Sequence, residues 1–311
     1  MNLSIVIPTY NEERNVALLH DEIIKALQNA AAAYEMIFVD DGSSDGTFQA
    51  LKGIHQRDGR ARVIRFKKNF GQSAAMAAGF EHAKGDVVIT MDADMQNDPA
   101  DIPLLLEELS KGYDVVCGWR SKRKDSISKK LLSLFANTLR RRLTGATIHD
   151  SGCSLRAYKK ECLKNLELYG EMHRYIPAIL SWRGYKIGEV RTNHRPRAHG
   201  KTKYGSKRLI KGFLDLILIL FWQKYSMRPI HLLGGSGLLL AIIGALLGLY
   251  LGIDRLAFGA PLADRPLFLL AILMIIVGIQ FMVFGVLADI LMRIYYGQGD
   301  RKRYTIEEVI E

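Results

Sequence analysis

Two aspartates at positions i and i+2, Asp92 and Asp94, carry the clearest chemistry in this sequence. In an extended backbone alternate side chains share a face, so both carboxylates point the same way. Two hard oxygen donors that leave most coordination positions open suit Mg²⁺ or Mn²⁺ shared with a diphosphate. A bare Asp-x-Asp is also what an acidic surface loop looks like, so the flanks decide. The run Val87-Val-Ile-Thr-Met91 before it reads as a strand buried on both faces. Pro99 and the stretch Asp101 to Leu109 start a helix after it. The acids therefore sit at the carboxyl end of a parallel strand, where open α/β sheets bind ligands.

The elements around this strand repeat its plan. Apolar runs at Leu3 to Ile7, Met36 to Val39, Val63 to Phe66 and Tyr113 to Gly118 are the other strands. Helical spacing follows at Asn15 to Leu27, Phe48 to Gln56 and Ala74 to Ala83, which gives a βαβ chain with a parallel sheet. The strand exits hold the polar residues. Tyr10 offers an aromatic body for a base, and Glu12 and Asp41 offer acceptors for base or ribose donors, although Asp41-Gly42 is also plain turn chemistry.

The 311 residues carry a net charge of +11, which favours an anionic partner. The cations crowd into two segments. Arg120, Lys122, Arg123, Lys129 and Lys130 lie in one; His194, Arg195, Arg197, Lys201 and Lys203 lie in the other. Either could hold a phosphate or lie on anionic lipid. The glycines of the second suit it as a mobile substrate loop. The three cysteines have no metal spacing and read as reduced thiols, and the N-terminus begins a strand without a signal peptide. Leu232 to Ile253 and Leu267 to Ile290 are each long enough to cross about 30 Å of hydrocarbon. Lys and Arg flank their outer ends, which places both termini in the cytosol. Residues 206–228 fit an amphipathic helix in the membrane interface. Gly244, Gly248 and Gly252 recur every fourth residue and mark a face for helix association.

Taken in order, Pro8-Thr-Tyr-Asn-Glu-Glu13, Val39-Asp-Asp-Gly-Ser-Ser-Asp-Gly-Thr47, Asn69-Phe-Gly71, Met91-Asp-Ala-Asp-Met-Gln96 and Asp150-Ser-Gly152 form a set. On these motifs the chain resembles the family 2 glycosyltransferases of GT-A (Rossmann-like) fold. Within them it is similar to the polyprenyl-phosphate glycosyltransferases, such as dolichol-phosphate-mannose synthase and undecaprenyl-phosphate glucosyltransferase. The resemblance implies an inverting, metal-dependent transfer of one sugar from a nucleotide sugar to a lipid phosphate. It implies a nucleotide-sugar site at Pro8, Tyr10, Glu12, Asp41, Asp92 and Ala93, with metal ligands Asp92, Asp94 and Gln96. Asp94, Asp150 and Arg120 are the expected catalytic set, with Asp150 as a base or a positioning group. Arg120, Arg123, Lys129, Lys130, Arg197 and Lys201 are expected to hold the acceptor phosphate. UDP is favoured over GDP, with a GDP-mannose-dependent enzyme as the alternative, and the family suggests a homo-oligomer, with a tetramer as one form. Glu171-Met-His-Arg174-Tyr175 departs from the signature of processive synthases, which argues against polymer extrusion.

The expected organisation is a cytosolic GT-A domain at 1–205, the interfacial helix at 206–228, a transmembrane hairpin at 229–292 and a cytosolic tail at 293–311 of an inner-membrane protein. A nicotinamide-dependent reductase is excluded, because no Gly-x-Gly-x-x-Gly follows the first strand. A nucleic-acid binder leaves two membrane spans unexplained. A non-catalytic membrane adaptor leaves the ordered motifs unexplained.

Overall fold

A computed structural model of the chain describes residues 2–28, 33–120, 148–150, 152–168, 170–196, 229–258, 266–297 and 306–310. Two compact units emerge: a sheet domain, to which the C-terminal residues return, and a unit holding two long helices.

In chain order the sheet domain runs β1 (Leu3–Thr9), α1 (Val16–Leu27), β2 (Tyr34–Asp40), α2 (Thr47–Arg57), β3 (Ala61–Phe66), α3 (Gln72–His82), β4 (Val87–Thr90) and α4 (Ile102–Ser110). It continues with β5 (Val115–Trp119), β6 (Arg156–Lys159), α5 (Lys160–Leu163), α6 (Ile176–Trp182) and β7 (Ile187–Arg191). With a last strand, β8 (Ile306–Ile310), the strands form one sheet in the order β7-β5-β6-β4-β1-β2-β3-β8. The pairs β1–β2, β2–β3, β1–β4 and β5–β7 are parallel; β6 runs antiparallel to both β4 and β5. The sheet is thus mostly parallel, and all five strands read from the sequence are present.

The central strands are apolar throughout because both faces are covered. Ile5, Phe38, Val63 and Ile89 pack on one side with α1, α2 and α4; Val6, Val39, Ile64 and Val88 pack on the other with α3. Helix α1 buries Val16, Leu19, Ile23 and Leu27, the three-to-four spacing of one helical stripe. Helix α3 instead presents small residues. A Cβ on Gly79 would collide with the Val6 side chain, so this glycine lets α3 lie flat on β1.

The last strand, β8 (Ile306–Ile310), pairs antiparallel with β3 and covers that edge of the sheet. Part of the expected tail therefore belongs to the sheet domain. Before it come α7 (Pro229–Phe258) and α8 (Pro266–Gly297), of 30 and 32 residues. Both are long and apolar enough to cross a membrane, and 11% of the most apolar stretch of each is buried, which is not the state of a core helix. Between them the glycine packing differs from the sequence expectation. A Cβ on Gly237 would meet the Gly278 carbonyl at 2.5 Å, and one on Gly278 would meet the Gly237 carbonyl at 2.6 Å. Gly244 likewise faces the Ala271 carbonyl at 2.8 Å, and Gly285 faces the Gly234 nitrogen at 3.0 Å. Gly252 faces open space, and Gly248 only grazes Ala271 at 4.0 Å. Gly244 therefore works inside the hairpin, and the three glycines do not form one free face. Residues 206–228 lie outside the described residues.

Candidate active site

The chain runs through β1, β2 and β3 to one side of the sheet, then crosses to β4 on the other side of β1. The exits of β1 and β4 flank this switch point, where ligands of open α/β sheets bind. Pro8, Tyr10 and Glu12 leave β1 there, each partly exposed. Asn11 takes a positive φ of 54°. Its N–H donates to Ser43 Oγ at 2.9 Å and its Oδ1 accepts the Ser44 N–H at 2.9 Å, which fastens the β1 exit to the β2 exit. Glu12 Oε2 accepts from Asn15 Nδ2 at 2.6 Å, and its N–H donates to Thr47 Oγ1 at 2.8 Å.

Asp41 is placed differently from the sequence expectation. It is 4% exposed, and its two oxygens accept the backbone N–H groups of Phe70 (2.7 Å) and Gly71 (2.9 Å). Burial pushes its carboxyl up to about 6 despite these bonds. The next residue, Gly42, has φ 68°, and a Cβ there would meet the Lys68 carbonyl carbon at 2.5 Å. Asp41-Gly42 thus ties the β2 exit to the loop before α3. Its carboxylate holds backbone where the sequence suggested a nucleotide contact.

The acid pair follows β4. Asp94 is buried, Asp92 is partly exposed, and Ala93 between them packs into the core. Burial and the neighbouring Asp94 charge hold the Asp92 carboxyl above the ordinary carboxylate range. Gln72 Nε2 donates to Asp92 Oδ1 at 2.7 Å. Asp94 Oδ1 accepts the Gln96 N–H at 3.2 Å, across Met95 at φ 64°. The chain beyond is pinned to a distant segment: Arg195 N–H donates to the Gln96 carbonyl, and its guanidinium meets Asp98 and Glu22, each at 2.7 Å. Arg195 is therefore engaged by carboxylates. Among the described residues no group of three or more His, Cys, Asp or Glu is arranged to hold a metal. The chain offers the acid pair alone, the partial shell that a divalent cation completes with diphosphate oxygens and water.

Arg120 and Asp150, 30 residues apart, form a fork. Arg120 Nε donates to Asp150 Oδ2 at 2.7 Å and Nη2 to Oδ1 at 3.0 Å, with each side chain 10% exposed. The charge of Asp92 also reaches Arg120. Glu189 on β7 supports the fork: its Oε1 accepts the N–H groups of His149 (2.7 Å) and Asp150 (3.2 Å). His149 stacks on Trp119 at 4.6 Å, and the Arg191 guanidinium lies over the same indole. Glu189, Trp119 and Gln72 were missed in the sequence, although Gln72 directly follows the Asn69-Phe-Gly71 motif and Trp119 directly precedes Arg120. Arg123, Lys129, Lys130, Arg197 and Lys201 lie outside the described residues.

Comparison with known proteins decides the family. The glycosyl transferase family 2 profile matches residues 4–167. The chain belongs to that family. It is 38% identical over 316 residues to the dodecaprenyl-phosphate galacturonate synthase of Rhizobium johnstonii, covering 100% of this chain and 94% of that protein. It is also 38% identical to the undecaprenyl-phosphate 4-deoxy-4-formamido-L-arabinose transferase of Pseudomonas paraeruginosa, covering 99% of this chain and 90% of the relative. Among solved structures, glucosyl-3-phosphoglycerate synthase from Mycobacterium tuberculosis, crystallised with Mg²⁺ and UDP, aligns with TM-score 0.55. At 20% identity, over 71% of this chain and 79% of that one, it shows the shared GT-A fold. This family 2 chain is a glycosyltransferase.

Proposed function

We propose that the chain transfers one sugar from a UDP-sugar to a polyprenyl phosphate with inversion at the anomeric carbon, using Mg²⁺ or Mn²⁺ at Asp92 and Asp94. The observation that carries this is the acid pair at the β4 exit, beside the Arg120–Asp150 fork, in a chain that also holds two membrane-length helices. Asp92, raised by Asp94 and burial, gains from a cation that stabilises both charges. When bound, that cation offsets the charge that builds on the departing diphosphate.

The nucleophile fits the fork. A phosphate monoester has a second pKa near 6, so it is largely dianionic at neutral pH and needs no base. Asp150, with both oxygens on Arg120, acts as a positioning group, not a base. A guanidinium carries five donors, so the fork does not exhaust Arg120, which stands as fixed positive charge for an incoming phosphate. Tyr10 and Glu12, at the exit of β1, are assigned to the nucleotide, and Gln96 to the metal.

We place the protein in the inner membrane with the sheet domain and both termini cytosolic. The return of β8 to β3 supports this, since a chain that leaves a domain and comes back crosses a membrane an even number of times. The names of the relatives set the first sugars to try, galacturonate and 4-deoxy-4-formamido-L-arabinose, each as the UDP donor of the proposed reaction, with GDP-mannose for contrast. The test is nucleotide release by purified protein given each donor and a short polyprenyl phosphate, with and without Mn²⁺. Lipid-dependent UDP release that requires metal is expected. No release with any donor would leave a binding protein.

A further inference from the structure

A side chain outside the roles assigned above holds the Asp92 carboxylate. Gln72 donates to Oδ1 at 2.7 Å.

Gln72 is the first residue of α3, and the start of that helix is fixed from three sides. Asp41 accepts the N–H groups of Phe70 and Gly71, directly before it. Ser73, directly after it, is buried; its Oγ bonds His173 Nδ1 at 2.9 Å and accepts the His173 N–H at 3.2 Å. Arg156 Nη1 holds the His173 carbonyl in turn at 2.9 Å. Below, Gly79 keeps α3 flat on β1. Gln72 cannot withdraw from Asp92 as a helix-end side chain on a loose loop could. The amide is also the fitting group chemically. It donates to a carboxylate without adding a third negative charge to the acid pair, and without the positive charge that would compete with a cation.

We propose that Gln72 is a positioning residue that fixes the orientation of the Asp92 carboxylate, so that binding of a nucleoside diphosphate and its cation does not have to order it. This rests on Asp92 serving the donor diphosphate and metal. It also gives Glu171-Met-His-Arg174-Tyr175 a role: His173 anchors the helix that carries Gln72.

Partners behind a metal ligand change metal affinity or activity by roughly 10- to 100-fold when removed. The test uses the full chain in detergent and compares Gln72→Ala and Gln72→Glu with wild type. Binding of UDP in the presence of Mn²⁺ is read by calorimetry, with donor and lipid KM and the melting temperature beside it. Gln72→Glu keeps the shape and loses the donor. We expect both variants to weaken Mn²⁺-dependent UDP binding and raise donor KM about 10-fold or more, with lipid KM and melting temperature near wild type. Wild-type or tighter UDP binding in Gln72→Glu would overturn the proposal, because shape alone would then suffice. A joint rise in both KM values with a lowered melting temperature would overturn it too, as fold support. Asp92→Ala is the control. Unchanged Mn²⁺-dependent UDP binding there would defeat the assignment of Asp92 itself, and the inference with it.

Discussion

The Arg120–Asp150 fork predicts a particular failure of additivity. Two unit charges about 4 Å apart at an effective dielectric of about 20 attract by about 4 kcal/mol, part of which offsets desolvation. With bonds of 2.7 and 3.0 Å and both side chains 10% exposed, the fork sits near the strong end of such pairs. Removing one partner of a buried pair costs about 3 to 5 kcal/mol, because the other charge is left uncompensated. The two single losses should differ. Asp150→Ala leaves Arg120 with the Asp92 charge nearby, whereas Arg120→Ala leaves Asp150 against Glu189, a like charge on the adjacent backbone. Arg120→Ala should therefore be the less stable variant. If Asp150 acts only by holding Arg120, each single variant loses about 30- to 100-fold in kcat/KM, roughly 2 to 3 kcal/mol. The double variant then loses no more than the worse single. The assay is steady-state kinetics of the two singles and the double with a short, water-soluble isoprenyl phosphate, plus melting temperatures. A pH–rate profile of Asp150→Asn completes it and should keep the wild-type shape. Additive losses, or disappearance of a basic limb in Asp150→Asn, would refute the reasoning and restore Asp150 as a base.

Asp94→Ala should lower transfer by about 10³-fold or more while melting near wild type, since it removes a carboxylate that lies beyond the end of β4 and repels its neighbour Asp92; full activity in EDTA would contradict it. In the hairpin, Gly237→Leu and Gly278→Leu should lower thermal stability in detergent, because each Cβ meets the opposite backbone at 2.5–2.6 Å, while Gly252→Leu should leave the hairpin unchanged. Asp41 predicts a pH dependence of stability. Its folded carboxyl titrates near 6, above the unfolded value of about 3.9, so the folded state holds the extra proton in that window and stability falls as pH rises from 4 through 6. At 1.36 kcal/mol per unit the loss is at most about 3 kcal/mol. Melting temperatures between pH 4 and 7 should show it, and Asp41→Asn should flatten it.

Strands β1 to β5 were legible because burial forces continuous apolar runs, and the acid pair because a period of two puts both carboxylates on one side; the parallel edge strand β7, with one fully buried residue of its five, gives no such run. Strand β6 was not, since Arg156-Ala-Tyr-Lys159 looks like a polar turn; only the fold shows Arg156 and Tyr158 buried beside Cys117, on the side of the sheet that α3 covers. Nor was β8, a five-residue strand whose partner lies more than two hundred residues earlier. Residues 244, 248 and 252 share a face by spacing alone, but two antiparallel helices meet where backbones come closest. The structure selects glycines seven apart on each helix, 237 with 244 and 278 with 285. At the site, the sequence left both readings of Asp41 open. A carboxylate at a strand exit suits a ligand or a neighbouring loop equally well, and only the positions of the Phe70 and Gly71 N–H groups separate the two.

Charge pairing also sorts the basic residues that composition alone could not. Arg120 is engaged by Asp150 and feels Asp92; Arg195 is engaged by Asp98 and Glu22. Both cations brace the two chain segments that frame the acid pair, one beyond β5 and one beyond β7. A brace of this kind gives the site its shape before any substrate arrives, and preorganised charge acts in a transition state without reorganisation cost. Neither brace carries net positive charge, so the +11 of the chain resides in basic residues elsewhere in the sequence. In sequence, Arg123, Lys129 and Lys130 follow Arg120, and Arg197 and Lys201 follow Arg195. On the proposed reading, the fixed charge of Arg120 comes first and further cations for the acceptor phosphate follow it along the chain. That order matches a reaction in which a dianionic lipid phosphate must approach a diphosphate against repulsion.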